Sequence, residues 1–209
     1  MTPEIEKIIS YQRIGTYLKA SGFDRSKALS LYAWNMKVSA SFMPLLSSVE
    51  ICLRNLVVER LVATYGQTWW NDAPFVALLG KKGKGIVKRA ERDIISRGRN
   101  PDSGMMTAEL SFGFWENMLL PKYEPSLWTP LHTHFPHLPQ HVDLPRLRAD
   151  CERVRELRNR ISHHEPIFQR DHLKDYSQCL EFIRWLSPDK ASWIRTVCEV
   201  PSVVRAKPK

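Results

Sequence analysis

The sequence predicts an all-α protein, and three observations carry that expectation. Apolar residues recur at three- and four-residue spacing along most of the chain, as in Leu147, Cys151, Val154, Leu157 and Ile161. No segment shows the period-two alternation of a half-buried strand. Prolines and glycines divide the chain into lengths suited to packed helices, with no internal repeat. The expected architecture is a bundle of roughly six to eight helices, one domain over residues 1–200, followed by a flexible basic tail at 201–209.

The elements follow in order. Thr2 and Pro3 read as an N-cap and first helical position, and Ile5, Ile8, Ile9 and Leu18 form a stripe up to Ser21-Gly22. Asp24 restarts a helix carrying Leu29, Tyr32, Trp34 and Val38. Pro44 stands near the start of a further helix that reaches Tyr65, with Leu46, Val49, Leu53, Leu56 and Val57 on one side and Gly66 as its stop. Gly83 and Gly85 make the start of the next segment flexible, and residues 86–96 read as helix. Residues 100–104 form a turn, and residues 107–120 a helix with Leu110, Phe114, Met118 and Leu119 on its apolar side. Six prolines and four histidines between 121 and 145 predict a long irregular connection. Pro145 opens a helix with a one-sided apolar stripe, and Pro166 ends it by disfavouring helical geometry in the residue before it. Helices at 171–186 and 188–200 complete the bundle.

Bulk properties narrow the function. The 209 residues are 43% hydrophobic, enough for a real core, and the formal net charge is +9. A basic surface favours polyanionic partners such as nucleic acid. Cys52, Cys151, Cys179 and Cys198 form no C-x-x-C pair and read as free thiols in a reducing compartment. The opening MTPEIEKIIS lacks the apolar core of a secretory leader, and no run approaches the ~18 apolar residues of a membrane span. The expected location is therefore the cytoplasm, with no membrane partner. His132, His134, His137 and His141 sit in the proline-rich connection with no nearby cysteine, so no metal site and no cofactor are expected.

The chemistry concentrates at Arg158-Asn159-Arg160-Ile161-Ser162-His163-His164-Glu165-Pro166. An arginine five positions before a histidine is weak by itself, since 18 arginines and seven histidines in 209 residues give about 0.6 such pairs by composition. Its setting at a proline-stopped helix end says more. Histidine exchanges protons near neutrality, and arginine presents a charged fork matched to phosphate oxygens. Asn159, one turn from His163, can orient the imidazole or the substrate. With the ribose 2′-OH as internal nucleophile, RNA cleavage needs no metal. Arg158 and His163 stand about 140° apart round an ideal helix. They meet on one site only if the helix end unwinds or a second chain contributes.

Other residues carry two readings. Glu50 and Arg54 either pair along their own helix or support Arg158 and His163 together with Asn55. His164 and Glu165 are either an acid–base pair or the structural end of the helix. Lys81, Lys82, Lys84, Lys88, Arg89 and Arg92 form either an RNA-contacting patch or a solvated helix face. Trp34, Phe112 and Trp115 suit base stacking, but their apolar stripes favour the core.

Four blocks, in order, resemble the Abi-like family of abortive-infection proteins within the HEPN superfamily. They are Tyr32-Ala33-Trp34-Asn35 with Ser41 to Leu46, then Ser48-Val49-Glu50-Ile51-Cys52-Leu53-Arg54-Asn55, then Glu109-Leu110-Ser111-Phe112-Gly113-Phe114-Trp115, and residues 157–168 around the doubled histidine. The resemblance implies a HEPN-like bundle with additional helices, a metal-independent endoribonuclease of toxin type, and a homodimer whose two motifs face one cleft. It implies Arg158 and His163 as the catalytic pair, with Asn159 in the polar position after the arginine. RNA is then the substrate, and a small RNA or an antitoxin protein is a possible silencing partner. The alternative reading is a non-catalytic RNA-binding or regulatory module of the same fold.

Overall fold

The computed structural model describes residues 3–208 and is helical throughout, with no strand among the described residues. Helix α1 (Pro3–Ile9) ends at Ser10, whose φ of 75° breaks the chain before α2 (Tyr11–Ala20). The expected continuous stripe is therefore split. Ile5 and Ile8 are exposed, and Ile14 and Tyr17 are the buried residues of this pair. Thr2 lies outside the described residues.

Helix α3 (Arg25–Tyr65) is the axis of the fold. Asp24 caps it by accepting the amides of Ser26 and Lys27 at 2.8 and 3.0 Å, and Gly66, with φ 81°, ends it. Two helices were expected where one runs. Pro44 sits in the interior, where its missing N–H leaves the Ala40 carbonyl without a helical partner. Ala40 and Pro44 both lie on the exposed side, where water can hydrate that carbonyl. Continuity also gives α3 an 18-residue window of mean hydropathy 1.3, long and apolar enough by composition to cross a membrane, which the sequence reading did not anticipate. In the fold, residues from Ala28 to Leu61 along α3 are buried against its neighbours, as in a core helix.

Helix α4 (Ala73–Ser96) bends at Gly80, which adopts φ 66°. Gly83 and Gly85 lie within the helix, not in a flexible lead-in. The helix expected at 107–120 is interrupted. Helix α5 (Ser103–Glu109) stops at an extended Leu110-Ser111 step before α6 (Phe112–Asn117). The step lets Leu110, Phe112, Phe114 and Trp115 all reach the interior, which one straight helix face does not allow. From 121 to 143 the chain is irregular apart from short turns and α7 (Leu131–His134), yet it buries Tyr123, Leu127, Trp128 and Phe135.

Helix α8 (Leu144–Ser162) is capped by Asp143 and buries Leu147, Cys151, Val154, Leu157 and Ile161, as the stripe predicts. Helices α9 (His172–Leu186), α10 (Pro188–Val197) and α11 (Val200–Arg205) follow. The tail expected at 201–209 is not loose over its first part. Helix α11 packs on α3 and α9, and the Trp34 indole donates to the Val203 carbonyl at 2.8 Å. Trp34, Phe112 and Trp115 are all core residues. Cys151, Cys179 and Cys198 are buried free thiols, and Cys52 is half-buried.

Candidate active site at the end of α8

Helix α8 presents two polar flanks beside its apolar stripe. One carries Arg148, Glu152, Arg155 and Asn159 at four-, three- and four-residue spacing, so they share a face. This face meets α6, whose Glu116 is only 3% exposed. The Glu116 carboxylate forms ion pairs with Arg155 Nε at 2.9 Å and Arg148 Nη2 at 3.4 Å, and Glu152 lies 3.4 Å from Arg155. Burial pushes the Glu116 carboxyl above its ordinary value of 4.5, while Arg155 and Arg148 pull it back. The other flank holds Asp150 between Arg146 and Arg153, turned toward the Arg170–Asp175 pair.

One turn beyond Arg155, half-buried Arg158 reaches across to α3. Its Nε lies 3.6 Å from Glu50 Oε2, and its Nη1 is 3.4 Å from Asn159 Oδ1. Glu50 thus turns to Arg158, while Arg54 donates to Asn55 Oδ1 at 3.4 Å. A cross-helix ion pair of this exposure is worth no more than ~1 kcal/mol, so its effect is to orient the guanidinium.

Helix α8 ends at His163, the C-cap, in a Schellman motif. The His164 amide donates to Ile161 O at 3.0 Å and the Glu165 amide to Arg160 O at 2.8 Å. The position that usually holds glycine is His164, with φ 56°. A side chain there costs about 1–2 kcal/mol. Arg13 steadies the turn by donating to the His164 carbonyl at 3.4 Å, and Glu165 pairs with Arg160 at 3.3 Å. The chain is then pinned to α3 by Asn35, whose Oδ1 accepts the Ile167 amide at 2.8 Å. With Arg158 opposite Glu50 and Ile167 opposite Asn35, α8 runs antiparallel to α3. His164→Gly is expected to raise stability by about 0.5–1 kcal/mol, a rise in Tm of roughly 2 °C. A thermal melt with no gain would show that the turn is not strained.

The two ends of the motif are not bonded to each other within the chain. Arg158 is engaged by Glu50 and Asn159, and the His163 side chain is exposed, with no hydrogen bond or ion pair to Arg158 among the described residues. Beside this end lies an open cavity of about 370 Å³, bounded by Ile161, Ser162 and His164 of the motif and by residues of α2 and α3. The lysine-rich segment is elsewhere. Lys81, Lys82, Lys84, Lys88, Arg89 and Arg92 are exposed on α4, which packs on α5 and on the turn Trp69–Asn71 at the C-terminal end of α3. Residues 50 to 65 of α3 alone span roughly 22 Å. No hydrogen bond or ion pair among the described residues links these cations to α8. Arg89 pairs with its own neighbour Asp93 at 3.7 Å.

Sequence reasoning overlooked Glu116 and its two arginines. The signal was present: a lone acid after Phe112-Gly113-Phe114-Trp115, and Arg148 and Arg155 seven apart with Glu152 between them. It also treated Asn35 only as part of a resemblance block, although it is a 5%-exposed carboxamide. Among the described residues no three His, Cys, Asp or Glu side chains converge as a metal site. His132 instead points at the Pro139 carbonyl, 3.3 Å away. No protein-family model, curated protein or solved structure matches the chain.

Proposed function

We propose that the chain is a metal-independent endoribonuclease of the Abi-like, HEPN type, a cytoplasmic homodimer that cuts RNA during phage infection. One observation carries this reading. Arg158 is oriented by Glu50 at 3.6 Å, one turn before an exposed His163 at a strained, open helix end. A phosphate seated on the Arg158 guanidinium would have its charge stabilised there. The ribose 2′-oxygen attacks phosphorus, the P–O5′ bond breaks, and the products are a 2′,3′-cyclic phosphate and a 5′-hydroxyl. Proton removal from the 2′-OH and protonation of the 5′-oxygen fall to imidazoles working near neutrality. One His163 from each protomer would supply both.

The motif itself favours a dimer, since no hydrogen bond or ion pair joins Arg158 to His163 among the described residues and a second chain would supply the partner each lacks. A small RNA or an antitoxin protein that covers this end would silence the enzyme. A second reading, an RNA-binding module without catalysis, draws on the same separation of Arg158 from His163.

The test is incubation of the purified protein with single-stranded RNA in excess EDTA. Cutting should persist, leave cyclic phosphate ends and stop when the nucleotide 5′ to the cut carries a 2′-deoxyribose. A metal requirement, or indifference to the 2′-deoxy substitution, would sink the mechanism.

A further inference from the structure

The cavity beside the motif has the chemistry of a base-binding pocket. Its walls are apolar and polarizable, with Met36, Ala40 and Met43 from α3 and Ile161 from α8. Tyr17 and Tyr32 meet edge to face at 5.1 Å and close its α2 side. The polar groups are few and point to specific contacts, as in ligand pockets generally. Asn35 is 5% exposed and its oxygen is committed to the Ile167 amide. Its NH2 group has no hydrogen-bond partner among the described residues, although Asn35 lines the cavity. Ser39 and Ser162 add hydroxyls, and Arg13 stands at the His164 side. Ser162 is the residue before His163, so whatever fills the cavity lies beside the turn that carries His163.

We infer that this pocket receives one unstacked nucleobase of single-stranded RNA, flanking the scissile phosphate, with Asn35 reading its edge. The inference rests on the ribonuclease reading above. Splayed bases are recognised by aromatic and guanidinium surfaces together with hydrogen bonds to their edges. A carboxamide whose oxygen is occupied offers its donors to the site, so it favours a base that turns an acceptor toward it, O4 of uracil or O6 of guanine, over one with an amino donor at the same position, N4 of cytosine or N6 of adenine. The occupant is a base rather than a phosphate, since the walls are mainly apolar and carry a single arginine, Arg13, among the described residues.

The experiment measures cleavage by the wild-type chain and, in parallel, binding of short single-stranded oligoribonucleotides to His163→Ala. Each nucleotide of the oligomer is replaced in turn by an abasic one. Removal of the base beside the cut should weaken binding about ten-fold, a stacking-sized loss. Ala40→Phe or Met43→Trp, which fill the cavity from exposed positions, should abolish that difference while light scattering shows an unchanged assembly. Asn35→Asp keeps the oxygen that Ile167 needs but replaces the donor by an acceptor, and should move the preference toward cytosine or adenine. If cutting occurs yet every abasic position binds equally and the variants cut like wild type, the pocket is overturned and the nuclease stands. If no cutting occurs but the base-dependent binding is seen and lost on filling, the pocket stands and the nuclease reading falls. If neither is seen, both fall.

Discussion

Glu116→Ala is expected to destabilise the protein by roughly 3 kcal/mol, a fall in Tm of about 6–12 °C for a domain of this size. The carboxylate is 3% exposed and lies between Arg155 and Arg148. Removing it leaves two guanidiniums on one face of α8 with Glu152 as their remaining acid. Their side chains are 26% and 30% exposed, so they partly reach water, which keeps the loss at the low end for a broken buried pair. Glu116→Gln retains the shape and one acceptor and should cost less. The pH dependence separates the two contributions. Because burial raises the folded carboxyl above 4.5, the folded state holds more protons than the unfolded state between 4.5 and the raised value. The Glu116 contribution is therefore fully present below 4.5 and diminishes as pH rises through that window. Urea denaturation of wild type and Glu116→Gln should show the wild-type advantage shrinking with rising pH. An advantage that grows would mean that the arginines outweigh burial. Since Arg155 lies one turn before Asn159, Glu116→Ala should also loosen the motif's own turn and lower RNA cleavage.

His163→Ala should reduce the rate of RNA cleavage by about 10²–10⁴-fold, the usual contribution of a positioned acid or base. The folded state should barely notice. His163 is exposed and contributes its backbone amide to the helix end, a bond that alanine retains. Arg158→Ala should be equally damaging to activity, while Glu50, 23% exposed, remains hydrated and limits the stability loss to ~1 kcal/mol. Arg158→Lys discriminates between charge and geometry. Lysine keeps the charge but loses the fork that spans two phosphate oxygens, so the variant should retain RNA binding and lose most of its turnover. Glu50→Gln should lower kcat more than it raises KM, because Glu50 orients Arg158 without touching substrate. Single-turnover assays with thermal melts of each variant check all four. If His163→Ala binds RNA normally and leaves the cellular effect of overexpression unchanged, the protein is an RNA-binding module without catalysis.

The clearest parts of the fold were those governed by local rules. The apolar stripe of α8, the caps Asp24 and Gly66, and the irregular course from 121 to 143 follow from side-chain spacing, capping chemistry and proline. The misread boundaries have one cause: tertiary burial overrode a local signal. Pro44 reads as a start, but the surrounding helix is buried on its far side and the lost hydrogen bond faces water. Residues 107–120 read as one helix, but four large side chains needed more than one face of it. Residues 201–205 read as the start of a loose tail, but the Trp34 indole and the core of α3 and α9 hold them.

The candidate site divides in the same way. The all-helical class, the helix that carries Arg158, Asn159 and His163, and the proline that stops it are legible in the sequence, because each depends on residues close along the chain. An ideal helix turns Arg158 and His163 about 140° apart, and no hydrogen bond or ion pair joins them among the described residues. It takes the packing of distant helices to turn Glu50 to Arg158 instead of Arg54, to anchor the flank of α8 on Glu116 from α6, to pin the chain after His164 on Asn35, and to set the lysines of α4 away from all of these. Such pairings join residues from about 30 to more than 130 positions apart. Their partners are set by which helix faces a shared core brings together, and no local spacing encodes that.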